Sequence, residues 1–380
     1  MRLDTRFARL LVVIVLLALP LSATAAQPLF VGNGTPASCT EAALQNALAV
    51  AGTLGGGTIK FKCGTDPVTI VLSEAGGEIP GFGSVALIPP NNTTIDGGGA
   101  VTILGLGSFN GTLILVDRDT AVVLKNLSII NGNPRFLLIN EGTLIIKQSA
   151  VSSVFGGIRN TGTLTVMDST VFDTGRFVGD PIFNGGTLTV KNSVFSGNGG
   201  GSTGGISNSG TATVESSRFL SNGAEGCGAI VNAGTLIVEN SEFSDNRGIF
   251  GVGGICNQGS LSVKNTTFFE NSAHQGAAGG IGNSGTLTVQ NSVFSGNRTG
   301  GGGGGIGNSG TLTIQNSEFS GNSAGFGGGI ANSGTLAVYN SSITQNTASQ
   351  DGGGIYTCCG GTLELENTVV TGNTPNDIVP

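Results

Sequence analysis

The chain of 380 residues holds 68 glycines, two Tyr, no Trp and one His, and only 10% of its residues are charged. Ordinary globular chains carry ~25% charge, yet a mean hydropathy of +0.23 and 38% apolar residues exclude a disordered coil and point to a buried core. A formal net charge of −7 argues against nucleic acid or anionic membrane as partners.

Residues 1–26 read as a signal peptide. Arg2, Arg6 and Arg9 precede an apolar run, Leu10 to Leu19, that is too short to span a bilayer. Ala23-Thr24-Ala25 places small residues at a cleavage position. Cleavage there removes three of 16 basic and one of 23 acidic residues, leaving 13 against 22 and a net charge of −9. No cysteine follows the site, so no lipid anchor is expected. The mature protein is expected to be secreted or held on the outer cell surface, with any membrane association indirect.

Residues 27–57 form an N-terminal segment with a helix. Ser38-Cys39-Thr40-Glu41 is a capping-box pattern, and Ala42, Ala43, Leu44, Ala47 and Leu48 make an apolar face behind it. The helix is placed over the N-terminal opening of a stack of coils, hiding the edge of the first one. Strands are expected at 58–63, 68–72, 111–116 and 121–124. Cys39 and Cys63 are read as a disulfide, fitting an oxidising compartment.

From about residue 130 the chain repeats itself every 24–26 residues. A GTL-type glycine recurs at Gly162, Gly186, Gly210, Gly234, Gly259, Gly285, Gly310 and Gly334. Between the Ile of GGI and the Asn of FxxN, as from Ile281 to Asn297, the spacing stays at 16 residues in seven successive copies. From that Asn to the next Ile it is 8, 9 or 10. One arc is therefore geometrically fixed and another tolerates insertion, as a surface loop does.

Within the fixed arc, Leu287 and Val289 alternate with Thr286 and Thr288, the period of a strand. No segment has helical periodicity, and the repeat is too short for a β-propeller blade. The fold class is all-β: residues 58–380 form a right-handed parallel β-helix with three short strands per coil. About 13 coils at ~4.8 Å give a rod of ~60 Å. Stacking predicts a column of Phe195, Phe219, Phe243, Phe268, Phe294 and Phe319. It predicts one amide ladder of Asn208, Asn232, Asn257, Asn283, Asn308 and Asn332, and a second of Asn240, Asn265, Asn291, Asn316, Asn340 and Asn367. Across coils Lys191 falls beside Glu215, Glu239 beside Lys264, and Arg218 beside Glu242. Cys227 and Cys256 sit three before and one after the repeat Ile, different registers in which pairing is not expected. Cys358 and Cys359 are adjacent and have no evident role.

Gly228-Ala229-Ile230 and Phe243-Ser244-Asp245-Asn246 carry a pattern that resembles the repeat of the polymorphic outer membrane protein type, over roughly residues 130–373. The SCTEAALQNALAVAG segment before GGGTIKF is similar to the CSLREA-type segment that precedes such β-helices, although Cys39-Thr40-Glu41-Ala42 lacks its Leu-Arg. The resemblance implies a pectin lyase-like fold and an adhesive role in a bacterial surface or secreted protein. Those adhesins usually end in a membrane β-barrel, and no such strand run is read here, so autotransport is not expected.

Enzymes of this fold class cut acidic polysaccharide with converging carboxylates, calcium and a base. The nearest candidate is Asp117-Arg118-Asp119, close to Lys125, and a polar turn between strands is the preferred reading. Asp168 reads as a ladder substitution and Asp173 as a loop residue. His274 reads as a solvated loop residue, with no cysteine or aspartate in register to share a metal. No cofactor and no metal are expected, with calcium entering only under a pectate lyase-like alternative. Outward pairs Thr163/Thr165, Thr187/Thr189, Thr211/Thr213, Thr286/Thr288 and Thr311/Thr313, continued by Ser260/Ser262, resemble an ice-binding array. High β-propensity and cross-strand pairing account for them without any ligand, and that reading is preferred. The role preferred from sequence is adhesion to a cell-surface or extracellular polysaccharide or protein through the variable loops, such as 272–280 and 299–305. The chain past Asn373 shows no obvious cap, so it either folds over the last coil or leaves an edge for a partner, end-to-end self-association included.

Overall fold

The computed structural model describes residues 27–73, 77–79, 83–105, 111–131, 136–153, 156–175 and 179–380. The expected signal peptide lies outside the described residues. The rest is a parallel β-solenoid of about 12 turns, mostly strand, with one short helix near its start.

Each regular coil contributes a Thr-Leu-Thr strand (Thr187–Lys191 in one copy), a Phe strand (Val194–Ser196) and an Ile-x-Asn strand (Ile206–Asn208). Like strands pair in parallel from coil to coil with the repeat register kept: Thr187 faces Thr211, Phe195 faces Phe219 and Ile206 faces Ile230. Two-residue strands in the variable loops, such as Gly199–Gly200, form a shorter ladder of their own.

The alternation builds the interior. Leu, Val, Ile and Phe at the inward positions are buried and form one continuous core along the axis, with Leu363, Leu365 and Val370 of the last coil only partly covered. The six phenylalanines stack face to face, with ring centroids 4.6–4.8 Å apart and planes within 12° of parallel. That column leaves little room at the second glycine of most GGI copies, although one coil carries the buried Ala229 there. A Cβ on Gly305 would sit 2.8 Å from the Phe319 ring, and one on Gly280 would sit 3.1 Å from the Phe294 ring. The GGI and FxxN motifs are thus two halves of one packing contact.

The asparagine ladders divide the work. In the column through Asn257, each amide donates to the next: Asn257 Nδ2 to Asn283 Oδ1 at 2.7 Å, with further bonds to the Gly259 and Thr286 carbonyls at 3.1 Å. These side chains are buried, and from Asn160 to Asn332 each carbonyl oxygen accepts from the amide before it, while Asn140 Oδ1 at the head of the column has no partner. The column through Asn265 is exposed at the turn; its members hold left-handed backbone, φ 48° to 51° from Asn240 to Asn367. Its amides bond more sparsely, at 3.0 and 3.3 Å around Asn265. A third column, the Asn of FxxN, is buried and bonded from Asn198 to Asn373. In the sequence this Asn marks only a spacing, because its neighbours give no sign of burial.

At the N-terminal end the helix spans Glu41–Leu54 and buries Leu44, Ala47, Leu48 and Ala51 against the first strands. Its N-cap is Thr40, which accepts from the Ala43 amide at 3.2 Å. Ser38 instead closes a preceding short turn, accepting from Asn33 and donating to Thr35 O. Glu41 accepts from the Ser73 amide. The Cys39–Cys63 bridge ties this segment to the region just after strand Gly57–Phe61. Two features carry no sequence signal: strand Leu29–Val31 pairs with Ile59–Phe61, and Gly77–Ile79 forms an antiparallel pair with Gly83–Leu87.

At the other end, residues past Asn373 continue the winding into a partial further coil, with Thr374 in parallel register on Thr347. Asp377 Oδ1 accepts from the Asn373 backbone and side-chain amides at 2.9 Å, closing the buried ladder with a carboxylate. Ile378–Val379 then pairs with Ile355 and Tyr356.

Candidate binding trough

The charged candidates are spread along the rod. Asp117 to Thr120 form a turn: Asp117 Oδ1 accepts from the Arg118 amide at 2.8 Å, and Asp119 is left-handed at φ 60°. Arg118 pairs with Glu141 at 3.2 Å, while Lys125 pairs with Asp96 at 3.2 Å on the neighbouring strand. Burial pulls the Asp96 carboxyl up, but hydrogen bonds from Asn126, Gly98 and Lys125 outweigh it and hold the group below its ordinary value. No group of three or more metal-ligating side chains occurs among the described residues. Asp168 stands in the exposed turn column and accepts from Asn192 Nδ2 at 3.2 Å, and Asp173 takes a left-handed turn position. His274 is exposed beside Arg247 and Arg298.

Coil-to-coil ion pairs close between Lys191 and Glu215 at 3.1 Å and between Arg218 and Glu242 at 2.9 Å. The Arg218 guanidinium holds the Glu242 carboxyl below its ordinary value against a counteracting burial, with help from Ser244. Glu239 and Lys264 face one another in register without closing a pair among the described residues. The Thr array is in register over Thr163, Thr187, Thr211 and Thr235, and the inner column breaks at Ile237 and Ala337.

One expectation is overturned. Cys227 and Cys256 form a disulfide, with Cα atoms 6.0 Å apart. Their positions in the repeat differ, but the variable loop folds back over the outward face of the Ile-x-Asn ladder. The loop column runs Thr203, Cys227, Val252, Ala278, and the outward column runs Val231, Cys256, Gly282. Cys227 therefore lies over Cys256 as Val252 lies over Gly282, where an added Cβ would meet the Val252 side chain at 2.6 Å. Counting residues from the Ile along one coil misses a contact made one coil further on.

The same fold-back creates an apolar concavity. The outward position between Ile and Asn reads Cys256, Gly282, Gly307, Ala331, Tyr356 on successive coils. Three small residues in a row make a floor. Loop residues Phe250, Val252, Ala277 and Phe326 form one wall, and exposed Gln258, Ser284, Ser309 and Ser333 form the other. The result is an open, largely apolar trough of about 510 Å³. It crosses four coil steps, roughly 19 Å. Phe250 stands 67% exposed at one end, and Phe326 packs on Tyr356 at the other with ring centroids 4.9 Å apart. A chain without Trp thus still presents aromatic faces. The small residues after the repeat Ile stand in the sequence, but only the loop's direction makes them a floor.

No family model matches the chain, and no curated protein matches it in sequence. Among solved structures, the chain is similar to the catalytic unit of a GH87 α-1,3-glucanase from Streptomyces thermodiastaticus, at 15% identity and a TM-score of 0.51, over 91% of this chain and 70% of that one. It is also similar to the A-module of the Azotobacter vinelandii mannuronan C-5 epimerase AlgE6, at 14% identity and a TM-score of 0.48, over 93% and 99%. A third is the Streptococcus pneumoniae surface protein and adhesin PfbA, at 12% identity and 0.36, over 90% and 97%. At these identities the likeness to the glucanase shows the parallel β-helix fold and nothing further.

Proposed function

We propose that this is an exported β-helical binding protein that holds an extended extracellular polymer, a polysaccharide or a protein segment, along the trough on its loop face. The carrying observation is the trough itself: a small-residue floor aligned with the rod axis, aromatic rings at both ends and a row of hydroxyl and amide groups on one side. Apolar surface with a few placed polar groups is the usual make-up of a ligand site, and aromatic faces suit sugar rings and apolar side chains alike. The resemblance of the repeat to the polymorphic outer membrane protein type supports an adhesive role. The leader pattern and the two disulfides support an oxidising, extracellular setting.

The test is binding of the full mature chain to a glycan array and to immobilised matrix proteins. Tyr356→Ala and Phe250→Ala are expected to weaken binding roughly tenfold each, about 1.4 kcal/mol, with unchanged melting. Incubation with polygalacturonate and calcium is expected to give no unsaturated product. Turnover lost on Asp117→Ala or Arg118→Ala would replace this reading with a lyase.

A further inference from the structure

The coil from Ile355 to Asn373 breaks the rule that every other copy obeys. Its fixed arc is 18 residues long rather than 16, and the two extra residues fall between Ile355 and Gly361. Where other coils read Asn, one variable residue and Gly, this one reads Thr357-Cys358-Cys359-Gly360-Gly361. The substitution interrupts the buried amide ladder. Thr357 faces Asn332 in the Asn position, and its hydroxyl is buried without a hydrogen-bond partner. A repeat this regular gives up a rung of its ladder at one place only among the described coils from Asn140 onward, and there it installs two cysteines.

The inserted turn brings the two sulfurs together. The Cys358 amide donates to Asn332 O and the Gly361 amide donates to Cys358 O, both at 2.9 Å. Cys359 and Gly360 are left-handed at φ 60° and 84°. The Sγ atoms lie 2.7 Å apart. Cys359 is exposed, while Cys358 is half-buried on the trough wall, two residues from Tyr356. The other four cysteines are all bridged.

We propose that Cys358 and Cys359 are a reversible thiol–disulfide exchange site at the lip of the trough, closing to a vicinal disulfide with disulfide-bearing small molecules or proteins as the oxidant. The exposed Cys359 thiolate attacks one sulfur of the donor disulfide, and the displaced donor sulfur leaves as a thiolate and takes up a proton. The Cys358 thiolate then attacks Cys359 Sγ in the mixed disulfide, forming the Cys358–Cys359 bond and expelling the second donor thiolate. Two protein thiols are oxidised and one donor disulfide is reduced to two thiols. The neighbouring thiol and burial push the Cys358 thiol up, which fits its role as the resolving sulfur.

Adjacent Cα atoms are ~3.8 Å apart, short of the ~4.4–6.8 Å of ordinary bridges. The vicinal bond should therefore open under a weaker reductant than Cys39–Cys63 or Cys227–Cys256, whose Cα separations of 5.7 and 6.0 Å are ordinary. This chemistry is independent of what the trough binds.

The experiment uses the full chain treated with glutathione disulfide, then alkylated and peptide-mapped before and after mild reduction with glutathione. The expected result is no label on Cys358 or Cys359 before reduction, both labelled after it, and the other two bridges intact throughout. The reduced chain should also chelate phenylarsine oxide, two S–As bonds forming as the As–O bonds break and water leaves. Cys358→Ser or Cys359→Ser should each weaken that capture roughly a hundredfold, because the second bond gains from an intramolecular partner. Free labelling of both thiols after glutathione disulfide treatment, disulfide-linked dimers through these cysteines, or arsenical capture indifferent to the single serine variants would each overturn the proposal.

Discussion

At the scale of single residues, the chain separates positions that hold the rod from positions that only turn it. Asn257 donates three bonds inside the stack and accepts from Asn232. Asn257→Ala leaves buried groups unpaired and is expected to cost about 1–3 kcal/mol, read by urea unfolding. Phe243→Ala removes the middle of the aromatic column and is expected to cost about 3–5 kcal/mol. Asp180 gives a pH signature. Burial pushes its carboxyl above the ordinary 3.8, only partly offset by hydrogen bonds from Thr203, Ser207 and Ser202. Between 3.8 and the raised folded value the native chain holds the extra proton, so stability falls as pH rises through that window and stays lowered above it. Asp180→Asn is therefore expected to gain stability relative to the parent on going from pH 3 to pH 7 in paired thermal melts. An advantage that shrinks with rising pH would contradict the assignment. Asp96 works in the opposite sense: its stabilisation is present above the ordinary value and is lost as pH falls through the depressed one.

At the scale of elements, legibility in the sequence depends on whether a contact is local to the repeat. The Thr-Leu-Thr strand, the Phe column and the Asn257 column come from alternation and fixed spacing, because parallel in-register stacking turns each repeat position into a line. The Glu41–Leu54 helix was legible from its apolar face, though Ser38 and Glu41 serve other partners. The Cys227–Cys256 bridge and the trough were not legible. Both depend on the path of a loop of variable length across the next coil, which no periodicity encodes. The bridge links cysteines 29 residues apart in sequence, and chain entropy alone assigns it roughly 3–4 kcal/mol. Paired Cys227→Ser and Cys256→Ser substitutions are expected to lower stability by up to that amount, and hydrogen exchange should quicken first in the loops around 223–228 and 249–253. Uniform loss of protection along the rod would show instead that the bridge does not act locally.

At the scale of the whole molecule, the claim that supports all the others is that one repeat makes one rung, so that a rung is a removable unit. Residues 311–334 span one period, from the position after Gly310 to Gly334, and contain neither bridge. Their removal joins Gly310 to Thr335 and leaves Phe294 facing Ile343 and Asn308 facing Thr357, with every strand still in register. Removal of residues 311–322 alone takes out half a period and sets inward positions against outward ones. The most direct measurement is cooperative thermal unfolding of these two deletions, monitored by circular dichroism. The whole-period deletion is predicted to keep β-structure and a single cooperative transition, while the half-period deletion loses both. Equal damage from the two deletions would contradict the account.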